Sequence, residues 1–531
     1  MNKRYFFFRS SLFCVLFFIA NFFLTAQNFI FEEDSSQIDP KLQRNFTIIQ
    51  NEHRHDLNPH TASYSSEAQI LGNIYEGLFS YDPVTLSPLN AVAESYKISR
   101  NKRRWTFTIR ESAKFSDGRQ ITAEDVRNSW LRLLSNPDAL YASLLDVIIG
   151  AREFRLGAGK REDVGITVKD NTLVVRLEAP CAHLSRILCH HAFSVVDEDL
   201  SLASGAFVLE KREKKRIVLK KNEYYWDKET VRLPQVTIEL SDDETENAYA
   251  LNTGSADWVD NAVSTDKLLL KSSVHIGAQF GTQYFFFKTA RSPWSDAAFR
   301  LALLTAAPWQ EMRKDFPVKA QTFIYPLAGY PVVNGFSETD EDEALALMKE
   351  ARAKAGIQED KKLSLVFAIM DNAYMKKSAE LLKSAWEALG VELIIQTKPS
   401  AEYLASIADW DADLFSYTWI GDFSDPLAFL ELFRGNSTLN VSGYNNEKFN
   451  ELLDQASSDE GSARLKLLAQ AEQLLLDEGV VLPISHPVSF NAIDLDSIGG
   501  WTSNSLDIHP FKYIYFKQKN SKVQNIVKKM P

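Results

Sequence analysis

From residue 299 to residue 484 the sequence keeps switching between two periods. Apolar residues recur every three to four positions over 299–306, 344–355 and 374–389, and the last two runs stop just before Gly356 and Gly390. Such runs read as helices, and a glycine just past a helix accepts the left-handed conformation that closes it. Between them, 363–370 and 391–396 are short, apolar or β-branched, and read as strands. A chain with this alternation buries its apolar faces as sheets covered by helices, which is an α/β architecture. At 531 residues the chain exceeds what one small core organises, so two or three lobes are expected.

The stretch 411–444 is the most informative part of this alternating half. Leu414, Ser416 and Thr418 alternate with Phe415, Tyr417 and Trp419, and both sets favour a strand. The pattern breaks at Gly421-Asp422. Asp425 then precedes Pro426 and the run Leu427, Phe429, Leu430, Phe433. Asp-Pro ahead of an apolar run predicts a helix start, with Asp425 as the cap and Pro426 in the first position. Asp425 therefore has a local task. Asp422, in the strand-to-helix loop beside Trp419, has none in the sequence, and a carboxylate so placed can receive a cation.

The first residues read as an export signal. Lys3, Arg4 and Arg9 form a basic start, 12–24 is an apolar run, and Leu24-Thr25-Ala26 offers a cleavage site before Gln27. An uncleaved anchor is the alternative, although the run is short for a full span. Residues 27–44 are a polar leader, and 517–531 carries five lysines and no acid, which reads as a solvated tail. The formal charge is −11, and loss of the three signal cations leaves 56 basic against 70 acidic residues. That excess disfavours nucleic acid and anionic membrane as partners. Of three cysteines, Cys181 and Cys189 lie beyond the signal. Read as a helix opened by Pro180, 180–191 separates them by about 12 Å, too far for a disulfide. Two buried thiols are expected. His183, His190 and His191 lie nearby, but their spacing matches no metal-ligand pattern, so no metal site is expected.

In the first half, 46–50 reads as a strand, 67–78 as a helix ending at Gly77, 105–109 as a half-buried strand, and 167–177 as another. Thr122 with Asp125 three residues later predicts a capped helix. The charged run 211–215 separates two apolar segments and reads as a hairpin turn. Residues 235–240 read as a strand and 242–251 as a helix. Residues 280–289 are apolar at both parities and read as a central strand where the chain passes between lobes. No HExxH, GxSxG or phosphate-loop spacing is present, so no catalytic residue and no cofactor is assigned.

Several segments together resemble a known family. They are LNPHTASYSSEAQILGNIYEGLFSYD, TFTIRESAKFSDGRQITAEDVRNSW, SGAFVL with YYWD, SDAAFRLAL, the stretch 411–444 through SGYNNEKFNELLDQA, AEQLLLDEGVVLPISHP and LDIHPFKYIYF. Their order and spacing from about Thr47 to Lys517 resemble the peptide-binding members of the extracellular solute-binding proteins, the family 5 components of ABC transporters. The resemblance implies a two-lobed, periplasmic-binding-protein-like clamp with an inserted subdomain, hinged between lobes. The expected division is a signal peptide at 1–26, a leader at 27–44, and a first lobe from 45–77, 191–280 and 490–518. An inserted subdomain spans 78–190, a second lobe 281–489, and a basic tail 519–531.

The same resemblance implies ligand-binding residues. Asp422 matches the family's amine-binding aspartate. Ser416, Tyr417 and Thr418 match the strand that pairs with the ligand backbone. Trp419 matches a cleft aromatic, with a core tryptophan as the alternative, and Tyr141 a cleft tyrosine, with an amphipathic-helix position as the alternative. Cations that some members use for the ligand C-terminus are replaced here by Ser416, Ile407 and Met375, and a family acid by Ser63. The implied activity is capture of extended oligopeptides by an exported, periplasmic monomer that delivers them to a membrane ABC permease and performs no chemistry. Alternatives are a nickel chelate, haem, sugar or cell-wall peptide as ligand, or an exported peptidase or chaperone.

Overall fold

A computed structural model describes residues 44–518. The signal peptide, all of the leader but its last residue, and the tail 519–531 lie outside the described residues.

Two large sheets organise the molecule. The first has seven strands, in the order Val274–Ala278, Val488–Ile493, Trp258–Asp260, Phe46–Gln50, Gln235–Leu240, Arg216–Lys221 and Phe207–Glu213. The second has five, in the order Val391–Lys398, Leu363–Met370, Leu414–Ile420, Gly281–Phe287 and Val481–Ser485. Each sheet is the centre of one lobe. The strand Gly281–Phe287 shows why both of its parities are apolar. Phe285 and Phe287 enter one core, with Phe367 and Trp386, while Tyr284 and Phe286 enter the other, with Phe415 and Phe433. Helices cover the faces. Ala373–Glu387 is capped by Asn372, whose side chain accepts from the Met375 N–H, and the left-handed Gly390 follows it at φ 72°.

The lobes are joined by two adjacent crossings. Residues 279–280 leave the first sheet for the second, and 486–487 return. They are laced together: the Gln279 N–H donates to Pro487 O at 3.1 Å, and His486 Nδ1 lies 3.0 Å from Gly281 O. This is the geometry of a hinge.

A four-stranded antiparallel sheet, ordered Ala93–Ile98, Arg104–Ile109, Thr172–Arg176 and Ile166–Lys169, forms a separate subdomain. The helix Ala123–Ser135 packs on it and opens with the reciprocal cap expected of Thr122 and Asp125. Thr122→Ala removes the oxygen that accepts from the Asp125 N–H and is expected to cost about 1 kcal/mol. Chemical denaturation of the variant checks this.

Four local expectations need correction. The alternation over 167–177 is not one strand but a hairpin, because Asp170 turns left-handed at φ 52° and Asn171 Nδ2 donates to Ile109 O. The helix expected over 67–78 is Ser65–Ile74. It stops early because Glu76 is claimed by Tyr225 and by Trp226 Nε1, and because Gly77 lies so close to Leu188 O that a Cβ would sit 3.2 Å from it. The helix expected over 180–191 shrinks to Leu184–Ile187. The chain then turns so that His190 Nδ1 accepts the Ala192 N–H. Both cysteines are free thiols, but Cys189 is only partly buried.

Candidate ligand-binding site

The strand Leu414–Ile420 carries the site. On one side it pairs antiparallel with Gly281–Phe287 along its whole length. On the other, the parallel neighbour reaches only Leu414 and Phe415. Beyond that, the buried Tyr403 hydroxyl takes over: it accepts the Ser416 N–H at 2.9 Å and donates towards the carbonyls of Ser416 and Ala368. Main-chain groups alternate sides along a strand. Since Ser416 points to the Tyr403 side, Tyr417 and Trp419 point into the ladder, and Thr418 and Ile420 turn theirs to the unpaired edge. Thr418 is exposed on that edge.

This sorts the predicted strand residues. Ser416 is fully buried and its main chain is occupied by Tyr403, so the expectation that it pairs with a ligand is corrected. Tyr417 offers its ring, not its main chain. Thr418 lies on the open edge, and Ile420, which the sequence did not single out, shares it. Trp419 is buried, stacks on Tyr417 at 6.0 Å and 22°, and donates its indole N–H to Ala428 O at 3.0 Å. Its visible work is bracing the loop that follows.

That loop holds the two aspartates apart in role. Gly421 packs against Phe280, whose ring would lie 2.7 Å from an added Cβ. Asp425 Oδ1 accepts the Leu427 N–H at 2.9 Å at the start of the one-turn helix Leu427–Leu430, for which Pro426 is the cap residue. Both of its oxygens also bind Arg464, at 2.6 and 2.9 Å. Its task is therefore larger than the local one expected.

Asp422 is different. Its side chain is 9% exposed, and its Oδ2 has no hydrogen-bond partner. Its main chain is engaged, since the Tyr81 hydroxyl of the subdomain side donates to its carbonyl at 2.6 Å. The Tyr141 hydroxyl faces its carboxylate, and the Tyr141 ring lies 4.3 Å from His190. Tyr141 precedes the short 3-10 helix Ala142–Leu145 and is buried; it does not lie on the amphipathic helix that was the alternative. His190 Nε2 is 3.7 Å from Asp422 Oδ1. Burial pushes the His190 pKa well below 6.5, so this ring is neutral at pH 7. With no cation beside it, the Asp422 carboxyl is pushed by burial from 3.8 up to about 8, against the opposing hydrogen bond from Tyr141.

The site thus unites Asp422, Tyr417 and Tyr141 with three groups that the sequence did not identify as site residues: Tyr81, His190 and Tyr403. His190 had been noticed only for a metal, and among the described residues no His, Cys, Asp and Glu cluster is arranged to hold one. Ile407 and Met375 are buried in apolar cores.

The subdomain closes over this strand. One apolar core runs from Phe107, Trp130 and Phe193 into Phe280, Phe415, Trp419 and Phe433. Ser143 Oγ accepts the Thr438 N–H at 3.0 Å, and Thr438 Oγ1 donates to Leu140 O.

A family model described as bacterial extracellular solute-binding proteins, family 5 middle, matches residues 87–441. The chain belongs to this family. Its relatives include the dipeptide-binding protein DppE of Bacillus subtilis, 29% identical over 450 residues that cover 78% of this chain and 82% of DppE. The fold superposes on the Escherichia coli murein tripeptide binding protein MppA with a TM-score of 0.78 at 25% identity, covering 90% of this chain and 99% of that one. Against the unliganded open form of MppA the score is 0.64, at the same identity and with 91% and 99% covered. Sequence and fold are constant between the two comparisons, so the difference lies in how the lobes are set. The lobes of this solute-binding protein are arranged unlike that open form, in keeping with the continuous core across its cleft. Among the described residues, no helix is long and apolar enough to cross a membrane.

Proposed function

We propose that this family 5 protein is an exported receptor that captures extended oligopeptides between its lobes, performs no chemistry on them, and hands them to a membrane ABC permease. The observation that carries this reading is Asp422: a buried carboxylate with one unpartnered oxygen and no fixed cation, placed where an open strand edge ends. A peptide supplies both complements at once. Its backbone adds to Thr418 and Ile420 as a further strand, and its terminal ammonium pairs with Asp422. The lobes are taken to hinge at 279–280 and 486–487. The peptide relatives named above are consistent with the ligand class, cell-wall peptides included.

Native mass spectrometry of freshly purified protein tests the reading. Retained masses matching intact peptides support it. Cleaved products after incubation with a peptide mixture would instead point to an exported peptidase, and retained non-peptide masses to another ligand.

The Asp422 carboxyl adds a pH signature. At pH 6.5 it is mostly protonated in the free protein, while a peptide amine with a pKa of about 7.7–8.0 is also protonated. The paired complex holds one proton fewer than the separated partners. Binding should release about one proton at pH 6.5, and affinity should rise towards pH 8 before the amine itself deprotonates. Calorimetry in buffers of different ionisation enthalpy measures this proton count, and a count near zero would remove Asp422 from the amine site.

A further inference from the structure

A second acidic site lies in the first lobe, at the hinge. Phe46–Gln50 and Trp258–Asp260 run parallel, and their carboxyl ends fall on the side where the chain crosses between lobes. In open α/β sheets this is the side that meets ligands. Asp260 ends one of these strands and Gln50 the other. Gln50 Nε2 donates to Asp260 Oδ2 at 3.4 Å, and Asn261 Nδ2 to Asp260 Oδ1 at 2.6 Å. Asp507 faces Asp260 closely enough for the two carboxylates to repel. Asp507 accepts from Asn491 Nδ2 at 3.0 Å and from Gln279 Nε2 at 3.4 Å, and its Oδ1 is 3.0 Å from His509 Nε2.

Two features distinguish this from an ordinary acidic cluster. Among the described residues no lysine or arginine pairs with either carboxylate. And Gln50, only 1% exposed, has its amide end in the cluster with Oε1 unpartnered. A buried acceptor without a donor costs about 1–3 kcal/mol, and here it stands beside two acids whose oxygens accept hydrogen bonds but whose charges no lysine or arginine balances. What satisfies all three is a cation with several N–H donors. Burial and Asp507 together push the Asp260 carboxyl up to about 7, as expected of an acid awaiting such a partner.

The hinge links this site to the first. Gln279 donates to Asp507; two residues later Gly281 pairs with Ile420, and the Gly421 N–H donates to Phe280 O. Asp422 follows directly.

Building on the peptide-receptor reading, we propose that Gln50, Asp260 and Asp507 form a side-chain subsite that selects peptides bearing a lysine ammonium or an arginine guanidinium. The amine at Asp422 is common to all peptides, so this subsite confers a sequence preference.

The test is a calorimetric series of alanine pentapeptides carrying lysine or norleucine at each position in turn. Norleucine keeps the stem and removes the charge. At one position lysine should bind wild-type protein at least about tenfold tighter than norleucine, and in Asp260→Asn that ratio should fall to about threefold or less. Ratios within about threefold at every position in wild type, with the peptides still binding, would overturn the subsite and leave the receptor reading standing. No binding of any peptide by wild type would overturn both. Calcium or potassium chloride alone raising the melting temperature of wild type, but not of Asp260→Asn, would also overturn it, because the site would then hold an inorganic cation.

Discussion

Asp422→Asn is expected to weaken peptide binding by about 2–5 kcal/mol, roughly thirty- to four-thousand-fold, while stabilising the protein without ligand. Asparagine keeps the shape and one acceptor but removes the charge that meets the ammonium. The gain in stability follows from linkage. The carboxyl is held near pH 8 in the folded chain and near its ordinary 3.8 when unfolded, so unfolding releases a proton anywhere between these values. Its contribution to stability is fully present below about pH 4 and is lost as pH rises to about 8. The variant lacks this loss. Ligand-free wild type and variant should melt alike near pH 4 and diverge towards pH 8, with the variant higher. Equal affinity for a test peptide in both proteins would refute the assignment of Asp422 to the ligand amine. A variant less stable than wild type at pH 8 would mean that the carboxylate serves the loop instead.

Arg464→Ala should be among the most damaging single changes to stability, at about 3–5 kcal/mol. Arg464, on the helix Gly461–Asp477, reaches Asp425 with two hydrogen bonds, and the side chains are 7% and 9% exposed. Alanine leaves a buried carboxylate whose remaining partner is the Leu427 N–H. The cost arises from that stranded charge more than from the loss of a favourable pair. The double variant Arg464→Met with Asp425→Asn should therefore recover most of the deficit, because neither charge remains. Urea unfolding of the three proteins measures this. A single variant within about 1 kcal/mol of wild type would show that the pair is dispensable. Peptide affinity offers a further check: Asp425 serves the loop, so the double variant should bind peptide far better than Asp422→Asn does.

Much of the architecture was legible because it rests on local rules. The 2.0 and 3.6 periods marked the strands Leu363–Met370 and Leu414–Ile420 and the helices around them, and Gly390 closed its helix as expected. The errors came where tertiary contacts overrode a local pattern. Gly77 and Glu76 were taken by distant residues, and the hairpin at Asp170-Asn171 hid inside an unbroken alternation. At the site, the contrast between Asp422 and Asp425 could be read from capping chemistry alone. The partners Tyr81 and His190 could not, since they lie more than 230 residues away along the chain, and Tyr141 came only from the family resemblance.

The sequence by itself determined that this is a layered α/β chain whose loop at 421–425 contains one acid committed to a helix start and one that is not. Only the tertiary structure decided which main-chain groups remain open. It closed Ser416 with Tyr403, left Thr418 and Ile420 at an unpaired edge, and brought Asp260, Asp507 and Gln50 together at the hinge. The physical reason is that capping and periodicity act over a few residues. Desolvation, edge pairing and charge repulsion depend instead on which distant segments arrive at the same place.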